Sequence, residues 1–148
     1  MVAASPGDQR SRALPWLLSL YAAASFLHFA HNAQYLAEYP NLPVSWSRAE
    51  VYLAWCCVTS VGVVGYLTYR RGNRAAGQAL LALYAVLGFG GLLHYTRAPL
   101  AHHSFMMNVT IWIEVVAALL LLINVAIAVA CERTPTVVQQ TSKGTGPR

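Results

Sequence analysis

The stretch HSFMMNVTIWIEVVAALLLLINVAIAVA, residues 103–130, carries a single charged side chain, Glu114. It is longer than the roughly 20 apolar residues that a helix needs to cross bilayer hydrocarbon. Working back along the chain, residues 13–36, 50–69 and 75–95 form three more runs of the same kind. Each is continuous and rich in Leu and Ala. A membrane β-barrel would instead show alternating segments of about ten residues.

The breaks between the runs support this division. Tyr39-Pro40-Asn41-Leu42-Pro43 cannot continue a helix, Arg71-Gly72-Asn73 forms a turn, and Ala98-Pro99-Leu100 stops the third run. Connections this short make neighbours antiparallel. The expected fold is an all-α integral membrane protein, a four-transmembrane-helix antiparallel bundle over residues 13–130. A cytoplasmic N-terminal segment, 1–12, would precede it. The segment 131–148, with few large apolar residues, would be a disordered cytoplasmic tail.

Composition agrees with one small membrane domain: 57% of the residues are hydrophobic and only 10% charged. The formal charge of +5 does not point to nucleic acid, because the cations sit in short segments beside apolar runs. Arg10, Arg12, Arg70, Arg71, Arg74, Arg133, Lys143 and Arg148 fall on one side of an even number of crossings, and Arg48 and Arg97 on the other. The positive-inside tendency then places both termini and the second connection in the cytoplasm. The expected host is a bacterial inner membrane or a plasma membrane. A competing reading makes residues 10–24 a secretory signal, with Ala22-Ala23-Ala24 as a small-residue cleavage site. Its apolar stretch continues through Phe26, Leu27 and Phe29, beyond the usual signal core.

All five histidines, His28, His31, His94, His102 and His103, fall at one end of these runs. Folding should gather them on the external side. His28, His31, Tyr35 and Glu38, at spacings of three and four, would form one helical stripe. His103, Met107, Thr110 and Glu114 would form a second, with Met106 beside it. Glu114 lies about 16 Å along the helix from His103, at a depth where a carboxylate is costly unless protonated, hydrated or paired. Gly88, Gly90 and Gly91 would let the third helix approach closely and bring His94 in. Trp46, Trp55, Trp112, Tyr35, Tyr39 and Tyr52 read as an aromatic belt.

A transition metal is the simplest common partner for this set. His28, His31, His94 and His103 are the expected ligands, with Glu50, His102, Met107 and Glu114 as lesser ones. Imidazole suits Zn, Cu and Fe; thioether would favour Cu(I), and carboxylate Zn or Fe. A membrane metalloenzyme with Glu114 as a catalytic group is one extension. The alternatives are a non-catalytic subunit or assembly factor of a larger membrane complex and a redox carrier; the expected partners are the lipid bilayer and a membrane protein or a second copy of the chain. The carrier would hold haem between His28 or His31 and His94, or use a quinone. No His-Glu-x-x-His, Cys-x-x-Cys or phosphate-binding glycine loop occurs. Cys56, Cys57 and Cys131 read as small packing residues.

Overall fold

A computed structural model describes residues 6–39 and 45–133, with side chains described for 13–39 and 45–132. It is a bundle of four helices: α1 (Pro6–Gln34), α2 (Arg48–Arg70), α3 (Arg74–Leu87), prolonged by a 3₁₀ segment (Gly88–Thr96), and α4 (Phe105–Arg133). No strand occurs among the described residues. All four helices are long and apolar enough to span a bilayer, over Ala13–Gln34, Arg48–Arg70, Arg74–Thr96 and Phe105–Glu132. Neighbours in sequence pack side by side, and α4 closes the ring against α1.

The chain turns its apolar surface outward. Leu20, Leu53, Val64, Leu93, Ile113 and Ile123 are exposed, an arrangement that suits lipid and would aggregate in water. The interior is smaller and more polar. Tyr21 and Tyr84 pack with their ring centroids 4.4 Å apart, among Ala24, Ala85, Ala117, Ala118 and Leu121. This is a multi-pass membrane protein. Cys56 and Cys57 sit on the outer face of α2 rather than between helices, unlike the expected packing role.

Local chemistry sets the helix ends. Ser47 caps α2 in a reciprocal box: its hydroxyl accepts from the Glu50 backbone N–H, and the Glu50 carboxylate accepts from the Ser47 N–H at 2.6 Å. Gly72, at φ 95°, makes the α2–α3 turn in a conformation that only glycine adopts cheaply. Asn73 then caps α3 by accepting from Ala76 N–H at 3.2 Å. Helix α1 begins at Pro6, inside the segment read as preceding the bundle, and α4 runs on to Arg133. The expected Pro40–Pro43 break and the tail beyond Arg133 lie outside the described residues.

The third span departs from a plain α-helix. From Gly88 onward it is a nine-residue 3₁₀ helix, where residues three apart stack on one line. Gly88, Gly91 and His94 are its buried residues, so the tighter winding aims all three at the bundle interior. Winding at about 3.6 residues per turn would rotate His94 away from Gly88. The Gly88 N–H turns to the carbonyls of Ala85 and Val86. The Tyr21 hydroxyl on α1 donates to the Tyr84 carbonyl at 3.2 Å, so a buried acceptor at the transition is satisfied from another helix.

Gly88 leaves no room for a side chain: a Cβ there would stand 2.5 Å from the Tyr21 hydroxyl and 2.6 Å from Ala118 Cβ. A Cβ at Gly90 would meet nothing within 4 Å. Gly88→Ala should therefore destabilise the bundle by about 1–3 kcal/mol, as overpacking does. Gly90→Ala should be neutral or stabilising by up to about 1 kcal/mol. Thermal unfolding of the two variants in detergent checks the difference, and equal midpoints would refute the close approach at Gly88.

Candidate functional site

The buried stripe of α1 is Tyr21, Ser25, His28 and Asn32, at spacings of four, three and four. The sequence stripe His28, His31, Tyr35, Glu38 drifts off this face, and its last two members lie beyond Gln34, where α1 ends. Helix α4 answers with His103, just before its start, then Met107, Ile111 and Glu114, all buried. The 3₁₀ segment of the third span inserts His94 between them.

His28 is the hub. Its Nδ1 lies 3.4 Å from the Thr110 hydroxyl on α4, and that hydroxyl donates its own proton to the Met107 carbonyl at 3.1 Å. His28 Nε2 on the other side of the ring lies 3.2 Å from the Asn32 amide nitrogen and 3.7 Å from Glu114 Oε2. A buried imidazole and carboxyl placed this close are costly unless a proton or a cation is shared with the pair.

His103 Nδ1 lies 3.2 Å from the Pro99 carbonyl, which can only accept, so Nδ1 donates. His103 Nε2 is buried and has no hydrogen-bond partner among the described residues; the same holds for His94 Nδ1 and Asn32 Oδ1. Leaving such groups unpartnered costs about 1–3 kcal/mol each, and in lipid no bulk water offsets it. His94 lies between the other two imidazoles, with ring centroids 5.5 Å from His28 and 6.5 Å from His103. Gly91 opens the wall beside the pair: a Cβ there would sit 3.4 Å from Glu114 Oε2 and 3.6 Å from His28 Nε2.

Tyr39, read from sequence as part of an aromatic belt, belongs to this site. The 3₁₀ turn Leu36–Glu38 folds it back over the bundle end, where it is 3% exposed. Its ring lies 4.9 Å from that of His94 and 6.3 Å from that of His28. Its hydroxyl pairs with His31 Nδ1 at 2.7 Å. His31 is thus held by Tyr39 and Tyr35 at the rim rather than among the deep imidazoles. A lone tyrosine before Pro40 carries no periodic signal, because its placement comes from a turn.

The remaining expected residues are placed elsewhere. Glu50 is exposed and engaged with Ser47 in the α2 cap. His102 is exposed in the short turn Leu100–His102, and Met106 faces outward while Met107 is buried. Among the described residues, no group of three or more His, Cys, Asp and Glu side chains is arranged to hold a metal ion. What the fold brings together is the buried pair His28–Glu114 with His94, and then His103, on one side.

Burial pushes the Tyr39 phenol up to about 12, above the value of about 10 in an unfolded chain. The folded state then holds this proton more tightly. The associated stability is complete below pH 10 and is lost as pH rises from 10 towards 12. Tyr39→Phe should flatten that alkaline loss, and at neutral pH should cost about 1 kcal/mol for the hydrogen bond to His31. Unfolding midpoints of both proteins between pH 7 and 12 test it; parallel alkaline declines would remove Tyr39 from the buried cluster.

Comparison of the chain with protein-family models, with curated proteins and with solved structures returns no match.

Proposed function

We propose that this protein binds a divalent transition-metal ion within the membrane, at the end of the bundle where His28, His94, His103 and Glu114 meet. The observation that carries the reading is the buried pair at the bundle end, His28 Nε2 and Glu114 Oε2 at 3.7 Å, with the His94 ring next to His28 and the His103 ring next to His94. With an ion bound, the Nδ1 protons of His28 and His103 would go to Thr110 and to the Pro99 carbonyl, and each Nε2 would face the ion. Metal-ligating histidines are oriented in this way, with one ring nitrogen donating to an outer partner and the other facing the ion. Two donors about 2.0–2.1 Å from a tetrahedral ion lie roughly 3.3 Å apart, so the 3.7 Å between His28 Nε2 and Glu114 Oε2 is closed by a small adjustment. His94 and His103 would complete the set by side-chain rotation. The nitrogen and oxygen donors favour Zn or Fe over Cu(I).

The haem alternative draws no support from this geometry. Tyr39 packs against both His28 and His94, where a macrocycle held between the two rings would have to lie. A quinone would use His28 and Glu114, 3.7 Å apart, as proton partners.

Elemental analysis of protein purified without a histidine tag, before and after loading with Zn(II), Fe(II) or Cu(I), tests the proposal. One ion per chain is expected. His103→Ala should weaken binding by at least about tenfold, the scale seen even for outer partners of metal sites, whereas the adjacent His102→Ala should leave it unchanged. Glu114→Gln keeps the side-chain shape and should also lower metal content. Failure to bind any of the three ions, or equal losses in the His102 and His103 variants, would overturn the metal reading.

A further inference from the structure

Asn32 stands nearer to His28 Nε2 than Glu114 does. It lies one turn beyond His28 on the buried stripe of α1 and is 4% exposed. Its amide nitrogen is 3.2 Å from Nε2, against 3.7 Å for Glu114 Oε2. The other end of the amide is unspent: Oδ1 is buried with no hydrogen-bond partner among the described residues. Inside a bilayer such an oxygen is costly, and packing alone would be served by an apolar side chain.

The His28–Glu114 pair supplies two donors, and among the described residues no third His, Cys, Asp or Glu side chain is arranged with them to hold an ion. An amide oxygen is a donor of another kind, one that divalent ions take beside carboxylates. A Nε2 that faces an ion cannot also accept from an amide N–H, so the contact with Asn32 has to break when the site is loaded. Turning the amide about its last torsion, which is soft and roughly two-fold, exchanges its ends and sets Oδ1 where Nδ2 stands. That point is 3.2 Å from His28 Nε2, close to the roughly 3.3 Å between neighbouring donors around a tetrahedral ion. Because the amide is neutral, it adds a donor without placing a second buried charge beside Glu114 while the site is empty.

We infer that Asn32 is a ligand of the ion, its Oδ1 binding beside His28 Nε2 and the Glu114 carboxylate. The assignment rests on the metal reading above and adds to it a neutral oxygen donor, which tilts the site further towards Zn or Fe and away from Cu(I). In one orientation the amide lies against His28 Nε2 and competes with the ion; in the other it holds the ion. The two roles have opposite signs in a substitution. Loss of a ligand weakens binding, whereas loss of a competitor strengthens it.

Zn(II) affinity of the detergent-solubilised chain, measured by competition with a chromophoric chelator, and the visible spectrum of the Co(II)-loaded protein provide the test. Asn32→Leu removes both ends of the amide at similar volume. It should weaken Zn(II) binding by about tenfold or more, the scale of outer partners at the least, and alter the ligand-field bands of Co(II). Asn32→Asp keeps an oxygen at the same reach and should bind Zn(II) at least as tightly as the wild type. Circular dichroism and a monodisperse elution profile establish that each variant is folded. Unchanged or tighter Zn(II) binding in folded Asn32→Leu, or a Co(II) spectrum identical to that of the wild type, would overturn the assignment while leaving the metal site in place. If Asn32→Leu does not fold, Asn32→Asp decides alone, since weaker binding there would show that the N–H end matters and not the oxygen. A wild-type chain that takes up neither Zn(II) nor Co(II) would overturn the assignment together with the site on which it rests.

Discussion

Polar groups placed inside a bilayer have to be satisfied by the protein itself, because no bulk water reaches them. Glu114 imposes that constraint on this bundle. It is 2% exposed within an otherwise apolar helix, and the structure answers by aligning a polar face of α1 against it. His28 faces it directly and Asn32 supports His28. Thr110, one turn from Glu114, fixes the His28 ring from the other side. The two helices with the polar stripes, α1 and α4, lie side by side in the ring of four.

The third span completes the enclosure by a change of winding. Had the α-helix continued, Gly88, Gly91 and His94 would spiral around the axis; the 3₁₀ segment stacks them. Glycine is needed at Gly88 because the backbone lies against Tyr21 and Ala118. Gly91 leaves open space beside the His28–Glu114 pair, which a Cβ would enter at ordinary contact distance. One stretch of glycines thereby controls helix packing, the position of His94 and the room beside the carboxyl. The same winding frees the Tyr84 carbonyl for Tyr21, which ties the packing core to the polar site.

The two ends of the molecule solve different problems. At the histidine end, Tyr39 folds over the cluster and separates the rim, with His31, from the deeper imidazoles. At the other end, small side chains on α3 and α4, among them Ala75, Ala79, Ala82 and Ala126, leave a groove along their seam. Burial of apolar surface cannot stabilise helix association inside lipid as it does in water, so such grooves persist where side-chain volume is lacking. The charges follow the same division, with the arginine cluster of the α2–α3 turn at the groove end and the buried titratable groups at the other.

The four spans, their boundaries to within a few residues and their antiparallel order were legible in the sequence, because hydrophobic length and turn residues act locally. Glu114 and His28 could be singled out for the same reason: a polar side chain deep in an apolar run is costly wherever the neighbours lie. Which face of α1 pointed inward was not legible, since His31 is three residues from His28 and equally able to share a stripe with it. Packing chose the face holding Tyr21, Ser25 and Asn32, and α1 ended before Tyr35 and Glu38 could extend the other. Glu50 was legible locally, since Ser47-x-x-Glu50 is a capping box that claims its carboxylate. Tyr39 and His94 were not: a turn carried the first into the interior, and a 3₁₀ winding that periodicity does not announce aimed the second. The unpartnered amide oxygen of Asn32 became visible only once the helices were placed, because an unsatisfied hydrogen bond is a property of the surroundings and not of the residue.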